Sequence, residues 1–175
     1  MKKSRFVSLV ACAGLFFSVF VTPASANRGI APDFQVVDLH GREIQLSKLR
    51  GCGVVLQFSA SWCAYCNKQA SALVEAHRQT RSKGVLFMVI NVKDSDDDAR
   101  AYAQEHGIIF PVIRNHSEAI ADAYRVQGLP QVAMIAPNGT LRKVLLGYSS
   151  VDNFVREAGA IAGGRRCKVT TEQIP

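Results

Sequence analysis

The feature that most constrains this chain is a pair of cysteines, Cys63 and Cys66, placed where a strand pattern gives way to a helix pattern. Residues 53–58 form a nearly continuous apolar run, which is typical of a central strand covered on both faces. From Cys63 onward the apolar side chains follow helical spacing, with polar residues such as Gln69 placed off the apolar stripe of Ala70, Leu73, Val74 and His77. The first cysteine is therefore predicted to stand where a buried strand ends and a helix begins.

A second strand and helix follow the first pair. Residues 85–92 form another apolar run, and the segment from Ser95 to Asp98 predicts the start of a helix that continues to His106. Because a strand–helix–strand unit has a right-handed crossover, the two strands should lie parallel and end at the same edge of a sheet. Active sites of open α/β sheets form at that edge, and the cysteines lie there.

The remaining elements complete an α/β pattern. Hairpins are predicted over residues 34–46 and 131–146, and further helices over 117–125 and 151–162. The chain of 175 residues is long enough to bury one core but short for two. We therefore expect a single domain over residues 27–175.

The first 26 residues have the pattern of a secretory signal peptide. An apolar run over residues 6–21 lies between small residues at 24–26 and the basic residues Lys2, Lys3 and Arg5. The run is shorter than the roughly 20 apolar residues of a transmembrane helix, which favours a cleaved leader over a retained membrane anchor. We therefore expect a periplasmic protein.

The charge pattern argues against a nucleic-acid partner. Without the leader, the formal net charge falls from +7 to +4, with 18 basic against 14 acidic residues. The basic residues are scattered, and no aromatic residues alternate with them as they do in single-strand binding surfaces. We expect no nucleic-acid partner and a monomer.

A C-x-x-C pair can be half of a zinc site, a haem attachment site or a redox dithiol. The other cysteines and the four histidines show no second ligand spacing for zinc, and Asn67 stands where covalent haem needs a histidine. The start of a helix favours the redox dithiol, because free N–H groups and the helix dipole stabilise a thiolate there. Cys63 is thus the predicted nucleophile and Cys66 the resolving thiol, with no metal or cofactor.

Several further motifs agree in order and spacing with one group of proteins. They include an entry hairpin over 32–51, Trp62 before the cysteine pair, and residues 90–92 before an acidic segment. Three short proline-containing motifs follow, Phe-Pro-Val at 110–112, Gly-Leu-Pro at 128–130 and Pro-Asn-Gly at 137–139. With these motifs the chain resembles the thioredoxin superfamily and, within it, the TlpA/ResA-like periplasmic reductases. The resemblance implies a thioredoxin fold, a central mixed sheet flanked by helices, with an N-terminal β-hairpin extension.

The resemblance also implies supporting residues. Pro130 would be a cis-proline beside the dithiol, the Leu129 backbone would pair with an extended substrate segment, and Trp62 would either shield the sulfur or simply pack. Gln57 stands where thioredoxins carry a buried aspartate that accepts a proton. In TlpA/ResA-like proteins an acidic residue after the crossover strand takes that role, which here falls on Asp94. Asp94 could equally belong to a solvated acidic cluster at a helix start.

Two cysteines stand apart from the pair. Cys52 precedes the central strand, and Cys167 follows the last predicted helix. In a thioredoxin fold both positions lie at the pole opposite the active site. This placement predicts a Cys52–Cys167 disulfide, with two free thiols as the alternative.

The implied activity is the reduction of disulfides in exported proteins. The resemblance points to the C-x-x-C pair of apocytochrome c as a substrate and to a membrane thiol–disulfide reductase as the electron donor. Ala64 and Tyr65, between the cysteines, instead resemble the Tyr-containing pairs of periplasmic isomerases, so an oxidase or isomerase using the same dithiol stays open. A redox-inactive peptide-binding module is a third alternative, against which the intact cysteine pair argues.

Overall fold

The structure is a computed structural model, and it describes residues 29–114 and 116–164. The predicted leader, residues 1–26, and Cys167 lie outside the described residues. Within the described ranges, no helix has the length and apolar character needed to cross a membrane.

The described residues form seven strands and four α-helices. In chain order these are β1 (Gln35–Val37), β2 (Glu43–Gln45), β3 (Gly53–Ser59), α1 (Ala64–Thr80), β4 (Val85–Asn91), α2 (Asp96–Glu105), β5 (Val112–Ile113), α3 (Ser117–Ala123), β6 (Gln131–Ile135), β7 (Leu141–Leu146) and α4 (Val151–Ala160). The predicted strands and helices are confirmed, with bounds that agree or differ by a few residues. Helix α3 ends before the predicted Arg125, because that residue has a positive φ of 50°, which a right-handed helix does not allow.

Five strands form a mixed sheet in the order β5-β4-β3-β6-β7. Strand β3 pairs in parallel with β4, from Gly53 opposite Val85 to Ser59 opposite Asn91, and pairs antiparallel with β6. The two parallel strands therefore end at the same edge, as the crossover through α1 predicts. Strands β1 and β2 form a separate two-stranded sheet, which is the predicted hairpin extension.

The sheet lies between two layers, so β3 is buried at all seven of its positions. Val55 faces helices α1, α2 and α4, which contribute core side chains such as Leu73, Tyr102 and Phe154. On the opposite face, Leu56 and its neighbours pack against helix α3 and the N-terminal hairpin. This two-sided burial explains why residues 53–58 carry apolar side chains with little alternation.

The C-terminal end of the described chain lies at the start of β3. The Gly164 N–H donates to the Gly51 carbonyl at 3.3 Å. A Cβ atom at Gly53 would collide with the Ile161 carbonyl, so this close approach of α4 requires glycine. Cys52 is buried at this contact and is disulfide-bonded. Its predicted pairing with Cys167 stays a prediction, since that residue lies outside the described part of the chain.

The N-terminal end of the described chain lies at the same pole. Ile30 forms an isolated antiparallel bridge with Thr140 in the turn between β6 and β7. The Pro137 carbonyl of that turn accepts a hydrogen bond from the Gly51 N–H at 2.9 Å. Both ends of the described chain are thus held where β3 begins, and the cysteine pair lies beyond the point where β3 ends.

Candidate active site

Cys63 and Cys66 form a disulfide across the first turn of α1, with their Cα atoms 5.2 Å apart. Cys63 is the N-cap residue of this helix, and its Sγ accepts the backbone N–H of Cys66 at 3.2 Å. The first turn of α1 contains no acidic residue. A thiolate at Cys63 therefore meets a backbone donor and the positive end of the helix dipole, which is the environment that the sequence predicted for the nucleophile.

The two sulfur-bearing residues differ in accessibility. Cys63 is 8% exposed, whereas Cys66 is fully buried at 0%. Of the two cysteines, only Cys63 therefore has any surface in contact with solvent. This asymmetry supports the predicted order, in which Cys63 attacks first and Cys66 acts from inside the protein.

The Leu129–Pro130 peptide bond lies beside the dithiol and is cis, as the resemblance implies. The Leu129 side chain packs against the buried cluster of Ala60, Cys63 and Cys66. The Pro130 carbonyl accepts a hydrogen bond from the Gly147 N–H at 2.8 Å, which ties the segment to the end of β7. Pairing of the Leu129 backbone with a substrate stays a prediction.

Trp62 lies on the surface next to the dithiol and is 64% exposed. Together with Leu129, Lys93 and Glu118 it lines a groove of about 270 Å³ beside α3. The alternative of simple packing is wrong for Trp62, because most of the side chain contacts solvent. Its predicted shielding of the sulfur stays a prediction.

Three further exposed apolar side chains stand near the dithiol. Tyr65 lies between the cysteines, Leu146 lies beside Gly128, and the Tyr148 ring lies 5.2 Å from the ammonium of Lys68 in α1. We call Trp62, Tyr65, Leu146 and Tyr148 the apolar rim. Sequence reasoning missed Leu146 and Tyr148, because only the register of β7 against β6 brings them to this edge.

Asp94 is buried at the edge where the parallel strands end. Its carboxylate accepts hydrogen bonds from the Ser61 backbone N–H at 2.8 Å, the Ser61 hydroxyl at 3.0 Å and the Asn91 amide at 2.6 Å. It thus joins the loop before Cys63 to the end of β4. The alternative of a solvated helix-start cluster is wrong for Asp94, because α2 begins at Asp96 with Ser95 as its N-cap. A role in proton transfer stays a prediction.

Gln57 belongs to a buried chain of amide groups under α1. Its Oε1 accepts a hydrogen bond from the Gln69 Nε2 at 2.8 Å, and the Gln69 Oε1 accepts the Ser149 N–H at 2.6 Å. The sequence placed Gln69 off the buried stripe, which is wrong, since Gln69 is fully buried. Its polar character concealed it, because apolar periodicity carries no signal for a buried amide.

Tyr102 reaches the active site from α2. Its hydroxyl accepts a hydrogen bond from the Ser59 hydroxyl at 3.0 Å and donates to the Cys66 carbonyl at 3.3 Å. Burial raises the pKa of Tyr102, so the phenol stays protonated and continues to donate. Among the described residues, no group of three or more histidine, cysteine, aspartate or glutamate side chains is placed to hold a metal ion.

Comparison with known proteins agrees with this geometry. A family model described as the AhpC/TSA family matches residues 28–144, which is more than half of the chain. The chain belongs to the AhpC/TSA family. Within the thioredoxin superfamily, this AhpC/TSA protein is similar to relatives named for thiol–disulfide exchange.

Two such relatives are named thiol-disulfide oxidoreductase ResA. The protein of Bacillus subtilis (strain 168) is 33% identical over 134 residues, which cover 76% of this chain and 75% of the relative. The protein of Geobacillus thermodenitrificans (strain NG80-2) is 30% identical over 160 residues, which cover 89% and 92%. The AhpC/TSA protein described here is therefore a thiol–disulfide oxidoreductase, and Cys63 and Cys66 supply its dithiol.

Solved structures show the same fold. A thiol:disulfide interchange protein of the thioredoxin family from Chlorobium tepidum TLS superposes with a TM-score of 0.71 at 25% identity, covering 78% of this chain and 97% of the other. A secreted disulfide oxidoreductase of Mycobacterium tuberculosis gives a TM-score of 0.66 at 21% identity, covering 73% and 95%. The predicted thioredoxin fold is confirmed.

Proposed function

We propose that this protein is an exported protein-disulfide reductase that acts on extracytoplasmic proteins. The observation that carries the proposal is the position of Cys63, the more exposed of the two cysteines, at the N-cap of α1 and one turn before the buried Cys66. The sequence pattern of residues 1–26 supports export. The secreted relative from Mycobacterium tuberculosis supports the same compartment.

The reaction transfers two electrons to the substrate. The Cys63 thiolate attacks one sulfur of the substrate disulfide, forming a mixed disulfide, and the other substrate sulfur leaves as a thiolate that takes a proton from water. The deprotonated Cys66 then attacks the Cys63 sulfur and releases the second substrate sulfur, which is protonated in turn. The protein ends in the Cys63–Cys66 disulfide form, which is the form in the structure.

A dithiol donor must then return the two electrons. We assign this role to a membrane thiol–disulfide reductase, which would form a mixed disulfide with Cys63 and leave with its own cysteines oxidised. The substrate and the electron donor would both react at Cys63, because Cys66 is fully buried. Donor and substrate would therefore bind in turn at the apolar rim.

The proposed substrate is an extended segment that carries two nearby cysteines, as in the C-x-x-C pair of apocytochrome c. Support comes from the similarity to ResA and from the groove between Trp62 and Leu129, which opens beside the dithiol. The Leu129 backbone would pair with the segment, so that its disulfide lies over Cys63. A folded partner with a recessed disulfide would fit this arrangement less well.

The same dithiol could instead oxidise or isomerise disulfides, and one observation favours this second candidate. The N-cap hydrogen bond stabilises a Cys63 thiolate, and stabilising the reduced form makes a dithiol more oxidising. The reduction potential of the Cys63–Cys66 pair distinguishes the two. We expect a value near thioredoxin's, about −270 mV, whereas a value near about −120 mV would indicate an oxidant.

Trapping tests the proposal directly. In the cell that exports the protein, Cys66→Ala should accumulate mixed disulfides between Cys63 and reductase substrates, because no resolving thiol remains. The Cys63→Ser, Cys66→Ala double variant is the matched control and should trap nothing. Equal trapping by both variants, or undiminished insulin reduction by Cys63→Ser with dithiothreitol, would overturn the dithiol mechanism.

A further inference from the structure

A buried hydrogen-bond donor under α1 has no acceptor among the described residues. This donor is the Nε2 of Gln57, a residue that is 0% exposed in the middle of β3. Its Oε1 is satisfied by Gln69. A buried amide N–H without an acceptor is destabilising, so the position of Gln57 calls for an explanation.

Strand geometry places Gln57 on the face that carries α1. Side chains alternate along a strand, and Val55 and Ser59, two residues to either side, both point to this face. The Ser59 hydroxyl donates to Tyr102, which bonds the Cys66 carbonyl. Ser59 is therefore level with Cys66, and Gln57, two residues earlier in β3, is level with Gln69, one turn of α1 further from the dithiol.

Helix geometry places Cys66 above Gln57. Cys66 and Gln69 are three residues apart in α1, so they lie one turn apart on the same face of the helix. Gln69 bonds Gln57 directly, and Cys66 is buried one turn closer to the helix start. The Gln57 amide and Cys66 are thus both buried between α1 and β3, one helical turn apart, and they share no hydrogen bond in the oxidised protein.

The amide chain fixes which end of Gln57 is free. The Ser149 N–H occupies the Gln69 oxygen, so the Gln69 nitrogen must point to Gln57. That contact occupies the Gln57 oxygen and leaves its nitrogen as the free end. The Gln57 side chain, oriented by Gln69, therefore presents an N–H donor between β3 and α1. A carboxylate at this position would present a negative charge instead.

We infer that Gln57 donates a hydrogen bond to the Cys66 sulfur whenever the Cys63–Cys66 bond is open, and thereby stabilises the resolving thiolate. The inference rests on the dithiol exchange proposed above and deepens it. A disulfide sulfur accepts hydrogen bonds weakly, whereas a buried thiolate is a charged acceptor that gains strongly from an N–H donor. Gln57 is thus a positioning residue, unpaired in the oxidised protein and paired when Cys66 must attack.

Other groups near Cys66 leave this role open. The titratable groups around it are Cys63 in the same turn, Tyr102 on α2, whose hydroxyl is bound to the Cys66 carbonyl, and Asp94, which is bound to Ser61. Leu129 packs against the cluster that contains Cys66 and carries no charge. Among these described neighbours, Gln57 supplies the uncharged donor that has no other acceptor.

The test titrates Cys66 in a Cys63→Ser background, with and without Gln57→Met, which keeps the side-chain size and removes the amide. The readout is the pH dependence of the ultraviolet absorbance of the Cys66 thiolate, which needs no reagent to reach the buried sulfur, with the Cys63→Ser, Cys66→Ser protein as the blank. We expect the Cys66 pKa to rise by about one unit, so that about tenfold less thiolate forms at a given pH. An unchanged titration would overturn the inference.

Thr80→Val is the matched control. It removes a buried hydrogen bond to the Ala76 carbonyl at the far end of α1, so it perturbs the same helix away from the dithiol. It should leave the Cys66 titration unchanged, and an equal shift in both variants would show a general loosening and contradict the inference. If Gln57→Met does not fold, Gln69→Met removes the orienting contact and should shift the pKa in the same direction by less.

The outcome is independent of the proposed direction of electron flow, because the titration involves no partner protein. If Gln57→Met leaves the pKa of Cys66 unchanged, Gln57 has no role at Cys66 and the reductase proposal stands. Failure of Cys66→Ala to trap partners would remove the reductase proposal and leave the titration result unchanged.

Discussion

At the scale of single residues, the buried polar groups around the dithiol hold the loop before Cys63 in place. Asp94 accepts three hydrogen bonds from Ser61 and Asn91, and each of these donors is part of the edge where the active site forms. Removing the carboxylate would leave those donors without an acceptor. The loop that presents Cys63 therefore depends on a residue that comes after the next strand.

Asp94→Ala should lower the free energy of unfolding by about 2–3 kcal/mol, because buried donors that lose their partner keep their desolvation penalty. Urea denaturation measures the change. Gln104→Ala, an exposed change on α2, is the control and should alter the free energy by less than about 0.5 kcal/mol. Equal effects of the two changes would show that the Asp94 hydrogen bonds contribute nothing.

His77 makes the stability depend on pH. Burial lowers its pKa from 6.5, with a smaller contribution from the Arg81 charge, and the ring packs against Phe87 and Phe110 with centroids 5.3 and 5.0 Å away. The unfolded chain binds a proton near pH 6.5, whereas the folded state resists it. Stability contributed by neutral His77 is therefore present above about pH 6.5 and is lost as the pH falls toward the lower folded pKa.

His77→Phe should remove this part of the pH dependence. We expect urea denaturation of the parent to show a lower free energy of unfolding at about pH 5.5 than at about pH 7.5, with a smaller difference in the variant. The sloping part of the curve should lie below the unfolded-state pKa of about 6.5. If the free energy of unfolding depends on pH equally in the parent and in His77→Phe, the pH dependence comes from groups other than His77.

The sequence predicts the site residues unevenly, and the reason is physical. Cys63 and Cys66 carry their chemistry in their spacing, and Pro130 lies in a recognisable motif. Gln69 and Tyr102 become visible only through packing, since a buried polar residue looks like a surface residue in the sequence. For Asp94 the sequence left a role as proton acceptor and a place in a solvated helix-start cluster equally open, because both are compatible with an acidic segment before a helix.

At the scale of elements, α2 positions Tyr102 and begins with a capping box. The Ser95 hydroxyl accepts the Asp98 N–H at 3.1 Å, and the Asp98 carboxylate accepts the Ser95 N–H at 3.4 Å. These contacts satisfy two groups that a helix start leaves unpaired. The helix that reaches the Cys66 carbonyl is therefore fixed at its first turn.

Ser95→Ala should lower the free energy of unfolding by about 1 kcal/mol and speed amide exchange in the first turn of α2. Ser150→Ala is the matched control, because Ser150 caps α4 through the Asn153 N–H at 3.3 Å. It should cost a similar amount and increase exchange in α4 instead. Faster exchange throughout the protein in both variants would mean that capping acts globally.

The order and type of the elements follow from the sequence, whereas their ends do not. The apolar runs before Cys63 and after Gly84 are long enough to identify two buried strands. The helix predicted from residue 117 stops early because Arg125 adopts a left-handed conformation, which its residue type does not signal. Local backbone geometry of this kind is set by the contacts of the folded chain.

At the scale of the whole molecule, the predicted Cys52–Cys167 disulfide would close a loop that contains nearly the entire domain. The Gly164–Gly51 hydrogen bond places the end of the described chain beside Cys52, three residues before Cys167 in sequence. Such a bridge typically contributes about 2–4 kcal/mol, chiefly by restricting the unfolded chain.

The Cys52→Ser, Cys167→Ser double variant should therefore lose about 2–4 kcal/mol of unfolding free energy. Peptide mapping without reductant identifies the pairing in the parent protein. Cys63→Ser, Cys66→Ser is the control, since its bridge closes only a short loop and should contribute less. Recovery of Cys167 as an alkylated free thiol would show that the pairing is wrong.

Whole-molecule features were predicted to different extents. The sequence pattern predicted the parallel pairing of β3 and β4, because a strand–helix–strand unit has a right-handed crossover, whereas the mixed sheet flanked by helices was implied by the resemblance to the thioredoxin superfamily. The apolar rim was not predicted as a unit, since Trp62 and Tyr148 are far apart in sequence. The register of β7 against β6 is what brings Tyr148 to the edge of the sheet that carries the dithiol. Surfaces assembled from distant segments need the fold before they can be seen.

The two ends of the described chain meet at one pole, and β3 runs from there to the dithiol over seven residues, or about 20 Å. A bead, an electrode or a fluorescent label attached at Ile30 or Gly164 would therefore lie at the pole opposite the dithiol. Such a preparation should keep the exchange rate of the free protein. The geometry thus suits oriented immobilisation, with every copy presenting Cys63 to the surrounding solution.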